Sequence, residues 1–118
     1  MLSHQLQMNS GTWEALRSQG VDEDVYLQLE FVFEARSQQR ARKLEKYLRA
    51  ETVYEVSSHA AKRRWVRSRK WAVVGLTQPM PVSLKILNDW VAWMVLAGAR
   101  HGSCEFDGWG ASVPSASV

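Results

Sequence analysis

The sequence predicts an α+β fold, and three observations carry that prediction. Val25 to Glu34 alternates strictly, with Val25, Leu27, Leu29, Phe31 and Phe33 on one side of a period-two backbone, which marks a strand covered on one face only. Leu84 to Arg100 is apolar around more than half of a helical circumference and supplies the cover. Around these two segments the pattern runs βαββαβ, behind one N-terminal helix. That order is the ferredoxin-like arrangement: a four-stranded antiparallel sheet, both crossover helices on one face, the first and third strands central. Residues 1–111 are expected to form one such domain, with its N-terminal helix inside 1–20 and a flexible tail at 112–118.

Leu2, Leu6, Asn9, Trp13 and Leu16 recur at helical spacing, interrupted by Ser10-Gly11-Thr12. Thr12 suits the N-cap of a helix from Trp13 to Gln19, and Gly20 its C-terminal stop. An acidic loop, Val21-Asp22-Glu23-Asp24, leads into the first strand. Ser37 then caps a helix to about Ala50, with Ala41, Leu44 and Leu48 inward and a basic outer face of Arg36, Arg40, Arg42, Lys43, Lys46 and Arg49. Thr52 to Ser57 is rich in β-formers and predicts the second strand, with Ser58 to Arg64 as connector.

The third strand is expected over Trp65 to Thr77. Alternation groups Trp65, Arg67, Arg69, Trp71 and Val73 on one face. Two unpaired arginines cannot be buried, so this face is expected to look outward, leaving Lys70, Ala72, Val74 and Leu76 inward. Gln78-Pro79-Met80-Pro81 breaks the strand. Ser83 caps the last helix and His101-Gly102 ends it. A last strand starts at Ser103 and turns at Asp107-Gly108-Trp109-Gly110.

Composition bounds the function. With 46 % apolar and 23 % charged residues the chain is neither disordered nor membrane-like. Its longest apolar stretch, Trp90 to Ala99, is about half of the ~20 residues a spanning helix needs. No Lys or Arg precedes Arg17 and no apolar block lies there, so a cytoplasmic protein is expected rather than a secreted one. Cys104 is alone, which excludes an intramolecular disulfide and CxxC chemistry. His4, His59 and His101 lack metal-ligand spacing, and no glycine-rich phosphate loop occurs. His101, Cys104 and Asp107 lie close in sequence, but Cys104 is expected to point into the core opposite Glu105. No catalytic residue, metal, cofactor or small-molecule substrate is therefore expected.

Two segments are candidates for binding. Lys62, Arg63, Arg64, Arg67, Arg69 and Lys70 crowd into nine positions without an acid, interleaved with Trp65 and Trp71. On a sheet face shared with Tyr26, such cations and rings suit RNA phosphates and bases. They equally suit an acidic protein partner, a homodimer contact or a merely solvated hairpin, and the Gly-Phe-Val run of common RNA-binding sheets is absent. The second segment is Asp107-Gly108-Trp109-Gly110, either a recognition turn anchored by Trp109 or a tight turn with Trp109 packed over the sheet.

The lead-in Thr12 to Asp24, the strand and helix Val25 to Val56, the Met80-Pro81 break and the run Gly102 to Gly110 together resemble the ribonuclease E inhibitor B family, also called regulator of ribonuclease activity B. Phe106-Asp107-Gly108-Trp109-Gly110 is similar to that family's aromatic-Asp-Gly-Trp-Gly ending. The resemblance spans roughly residues 12 to 111. It implies a small cytoplasmic α+β protein that binds ribonuclease E and lowers its activity by protein-protein contact, without being an enzyme.

Overall fold

The alternation of the first strand decides the architecture. In a computed structural model, which describes residues 11–18, 20, 26–60 and 70–112, β1 (Tyr26–Ala35) buries Leu27, Leu29, Phe31, Phe33 and Ala35 and turns Tyr26, Glu30 and Val32 to solvent. Each large apolar side chain so buried stabilises the fold by about 1.5–3 kcal/mol. Val25 lies outside the described residues. Residues 11–18 form helix α1, which buries Trp13 and packs Leu16 against the core. It already includes Gly11 and Thr12, so Thr12 is not its N-cap, and Leu2, Leu6 and Asn9 lie outside the described residues. Gly20, at φ 91°, closes the chain back with its N–H on the Arg17 carbonyl (3.0 Å).

The other elements are α2 (Gln38–Glu51), β2 (Glu55–Ala60), β3 (Trp71–Leu76), β4 (Met80–Pro81), α3 (Leu84–Arg100) and β5 (Glu105–Ser112). Both long helices start as their caps require: Ser37 Oγ accepts from the Arg40 N–H and Ser83 Oγ from the Ile86 N–H, each at 3.2 Å. Ala41, Leu44 and Leu48 are buried, as their spacing demands. On α3 the buried stripe is Leu87, Trp90, Val91, Met94, Ala97 and Gly98. It is narrower than the apolar arc of the sequence, and Ile86, Trp93 and Leu96 are exposed. β2 begins three residues later than its β-formers suggest, because Thr52 caps α2 with its N–H on the Leu48 carbonyl (2.9 Å) and Ser58–Ala60 continue the strand.

All strand pairs are antiparallel. β3 lies between β2 and β1, and β5 flanks β1 on its other side, giving the order β2-β3-β1-β5 of a ferredoxin-like sheet. The remaining strand, β4, is a continuation of β3. From Leu76 to Met80 four residues advance while β1 advances three, from Glu30 to Leu27, so Thr77–Pro79 form a bulge. Buried Thr77 bridges it: its N–H donates to the Leu29 carbonyl (2.9 Å), and its Oγ1 accepts from the Leu29 N–H (3.0 Å). The Gln78–Pro81 break thus interrupts the ladder without ending it.

The phase of β3 is opposite to the one alternation suggests. Val73 pairs with Phe33 and is fully buried, and Trp71 pairs with Ala35 and packs against the core; Ala72, Val74 and Leu76 face outward. Lys70 also faces outward and meets Glu34 at 2.6 Å, which removes the conflict of a lysine on a core face. Among the described residues no helix is long and apolar enough to cross a membrane.

Candidate functional site

α2 and α3 cover one face of the sheet, and among the described residues no element covers the other. Pairing registers place side chains on this outer face in rows that run across the strands. One row is Glu30, Leu76 and Glu55; the next but one is Val32, Val74 and Ser57. Between them, Phe31 and Val56 send their side chains toward the core and Gly75 has none, which leaves only backbone. The result is a trough of about 440 Å³ walled by these six outward residues. Gly75 suits the floor sterically: a Cβ there would collide with the Phe31 ring, which occupies the space beneath, and come within 2.5 Å of the Glu55 carbonyl oxygen.

Among the described residues, the charge of this face is opposite in sign to that of the chain. The whole sequence carries +3, yet the charged residues described on the outer face are Glu30, Glu34, Glu55 and Glu105 against Lys70. Glu34 and Glu105 stand opposite each other, an unfavourable pair that Lys70 offsets at Glu34. Among the described residues neither Glu30 nor Glu55 makes a salt bridge. Tyr26, 56 % exposed, and Val32, 36 % exposed, add apolar surface on the same side of β1. His59 lies there too, with a ring nitrogen 2.8 Å from Ser57 Oγ.

Of the tryptophans and arginines on the face expected from the sequence, Trp71 is described, and it is not on this surface. Trp71 belongs to the core side, while Lys62, Arg63, Arg64, Trp65, Arg67 and Arg69 lie outside the described residues. Of the expected RNA-facing set, Tyr26 and Lys70 face outward. The cations of α2, by contrast, are where the sequence puts them, with Arg36, Arg40, Arg42, Lys43, Lys46 and Arg49 all exposed.

Asp107-Gly108-Trp109-Gly110 is strand, not turn. β5 runs through it, and its register against β1 jumps from Phe33↔Phe106 to Val32↔Gly108, so Asp107 is the extra residue of a β-bulge. Trp109 pairs with Phe31 on the core side and is half-buried. Its ring meets Trp90 edge-on at 6.3 Å and 88°, Trp90 meets Phe106 at 6.0 Å and 90°, and the Trp90 Nε1–H donates to Tyr54 Oη at 3.2 Å. Asp107 is exposed.

His101, Cys104 and Asp107 do not form a catalytic set. The His101 ring stacks on Tyr47 at 3.5 Å and 10°. Buried Cys104 points its Sγ at the Arg40 carbonyl (3.7 Å), and burial pushes its thiol above the ordinary value of 9.0 despite the nearby Arg40 charge. A nucleophilic cysteine needs the opposite shift. Among the described residues no three His, Cys, Asp or Glu are grouped so as to hold a metal. What reasoning from the sequence missed is the acidic and apolar row structure of the outer face. The signal available was Gly75, since a glycine inside a strand marks close approach and fixes the neighbours' phase.

The family model described as Regulator of ribonuclease activity B matches residues 6–111, most of the chain and every strand and helix described up to Ala111. No curated protein matches the chain.

Proposed function

This chain belongs to the regulator of ribonuclease activity B family, and from that membership we propose that it binds ribonuclease E in the cytoplasm and lowers its activity by protein-protein contact, without catalysis of its own. The family's description makes it a regulator of ribonuclease activity. The observation that carries the finer reading is the match over residues 6–111, which takes in the whole sheet and both long helices rather than one motif. A sheet with one open, partly apolar face supports a binding role, since exposed apolar surface of this kind is where partners dock.

The rival reading, an RNA-binding module, is favoured less by the described outer face, where Trp71 is missing and four described carboxylates repel phosphate; the cation run from Lys62 to Arg69 on which that reading rests lies outside the described residues. The test is a titration of the nucleic-acid-free protein against the non-catalytic half of its host's ribonuclease E. Saturable binding at physiological salt, with loss of RNA cleavage on addition of the protein, is expected. An absence of binding retires ribonuclease E as partner. Binding to RNA alone, weakening steeply with salt, favours the rival.

A further inference from the structure

We propose that the trough across the outer sheet face takes an extended partner segment carrying an apolar side chain between two basic ones. The proposal deepens the binding role inferred above and rests on it for the identity of the partner only.

The wall formed by Glu30, Leu76 and Glu55 is an apolar residue between two carboxylates, on three neighbouring strands. Adjacent strands lie about 4.8 Å apart, so the two carboxylates stand about 10 Å apart along the trough. The opposite wall, Val32, Val74 and Ser57, is apolar over β1 and β3 and polar at its β2 end. An occupant must therefore be apolar in the middle and cationic at both ends. In an extended chain, residues i, i+2 and i+4 point to the same side, which places two Lys or Arg around one apolar residue over about 13 Å of backbone. Their long side chains close the remaining distance to Glu30 and Glu55 while their stems lie along Leu76 and the valines.

Charge complementarity selects this occupant over the others. A nucleic acid would bring phosphates against Glu30 and Glu55, where like charges brought together cost affinity. An acidic peptide meets the same obstacle. A basic segment gains at both ends, and the excess of four carboxylates over one ammonium among the described residues of this face attracts it even though the chain as a whole is positive.

The experiment is an NMR titration of the full chain with the peptide Ser-Arg-Ser-Leu-Ser-Arg-Ser, with Ser-Glu-Ser-Leu-Ser-Glu-Ser as control. Saturable amide shifts at Val32, Ser57, Val74 and Leu76 with the arginine peptide, none with the glutamate peptide, and binding about tenfold weaker in Glu30→Lys/Glu55→Lys are expected. The milder Glu30→Gln/Glu55→Gln pair, with both changes at exposed positions, should weaken binding less and guards against misfolding as the cause. Shifts on the helices instead, equal response to both peptides, undiminished binding in the lysine variant, or an RNA oligonucleotide or second copy of the chain occupying the same amides would each overturn the proposal. Running the lysine variant against the ribonuclease E half separates the two inferences. If the unaltered protein takes the arginine peptide but ignores the nuclease, the trough stands and the nuclease falls. If it binds the nuclease and the variant binds as well, the nuclease stands and the trough falls.

Discussion

Gly98 and Cys104 show how single residues fix the distance between α3 and the sheet. A Cβ on Gly98 would come within 2.6 Å of the Cys104 carbonyl oxygen and 2.8 Å of the Phe33 ring, and the Cys104 N–H donates to the Gly98 carbonyl at 2.8 Å. Alanine is the better helix former by about 1 kcal/mol, so propensity alone favours Gly98→Ala. Overpacking against backbone costs about 1–3 kcal/mol and wins, because a carbonyl cannot swing aside as a flexible side chain can. Urea denaturation should show the variant less stable, and a gain in stability would mean that α3 shifts freely. Cys104 carries a pH consequence. Burial disfavours its thiolate, so the native thiol keeps its proton to a higher pH than the unfolded one. The native state then binds more protons above the ordinary value of 9.0, and the thiol's contribution, complete below that value, is lost as pH rises through the higher native value. Stability measured between pH 8 and 10.5 should fall more steeply for the unaltered chain than for Cys104→Ala. Parallel curves would show that the buried thiol does not matter.

At the scale of elements, legibility depended on whether local pattern and tertiary pairing agreed. β1, α2 and the start of α3 were legible because alternation, Ser caps and apolar spacing all point the same way. β3 was not. Counting faces from Arg67 and Arg69 carries a period of two straight through to Val73, but β3 begins at Trp71, and partners on both sides set its faces: Val73 lies between Phe33 of β1 and Ser58 of β2, and Ala72 between Glu34 and His59. Asp-Gly is a strong turn signal, yet in β5 the same pair is absorbed as a bulge because β1 is long enough to go on pairing through it. The bulge at Thr77 was equally hidden behind Pro79 and Pro81. It yields a prediction that belongs to the element. Thr77 Oγ1 accepts the Leu29 N–H and donates to the Gln78 carbonyl at 2.8 Å, in a site where Thr77 is 1 % exposed. Thr77→Val keeps the shape and strands a buried donor on the central strand, which should cost about 1–3 kcal/mol. Thr77→Ser keeps the hydroxyl and should lose much less. Equal melting temperatures for the two variants would show that the hydroxyl does not hold the bulge.

Over the whole molecule, β1 unites stability and surface. Its inner side chains are the centre of the core, with Phe31 edge-on to Phe33 at 6.0 Å and to Trp90 at 6.2 Å, and Phe33 meeting Phe106 at 5.2 Å. Its outer side chains Glu30 and Val32 belong to the open trough. Its backbone is paired on both sides, to β3 and β4 along one side and to β5 along the other, whereas β2 and β5 each have one described neighbour in the sheet. The helices then divide the charge, with exposed cations on α2 and carboxylates on the opposite sheet face, so a partner can change one surface without contacting the core. This arrangement predicts a hierarchy of opening. The Leu29 N–H points to the β3 side, onto Thr77 Oγ1, and the amides of Phe31 and Phe33 share that side by period two, so they exchange only when the central pair β1–β3 separates, which is global unfolding, while the outer amides of β2 and β5 exchange through local opening. Native-state hydrogen exchange should place the three β1 amides at the free energy measured by urea denaturation and the edge-strand amides below it. Equal protection across the sheet would mean that it opens as one unit. A segment docked in the trough should raise protection in β2 and β3 and leave β1, already at the global limit, to rise only by the binding free energy itself.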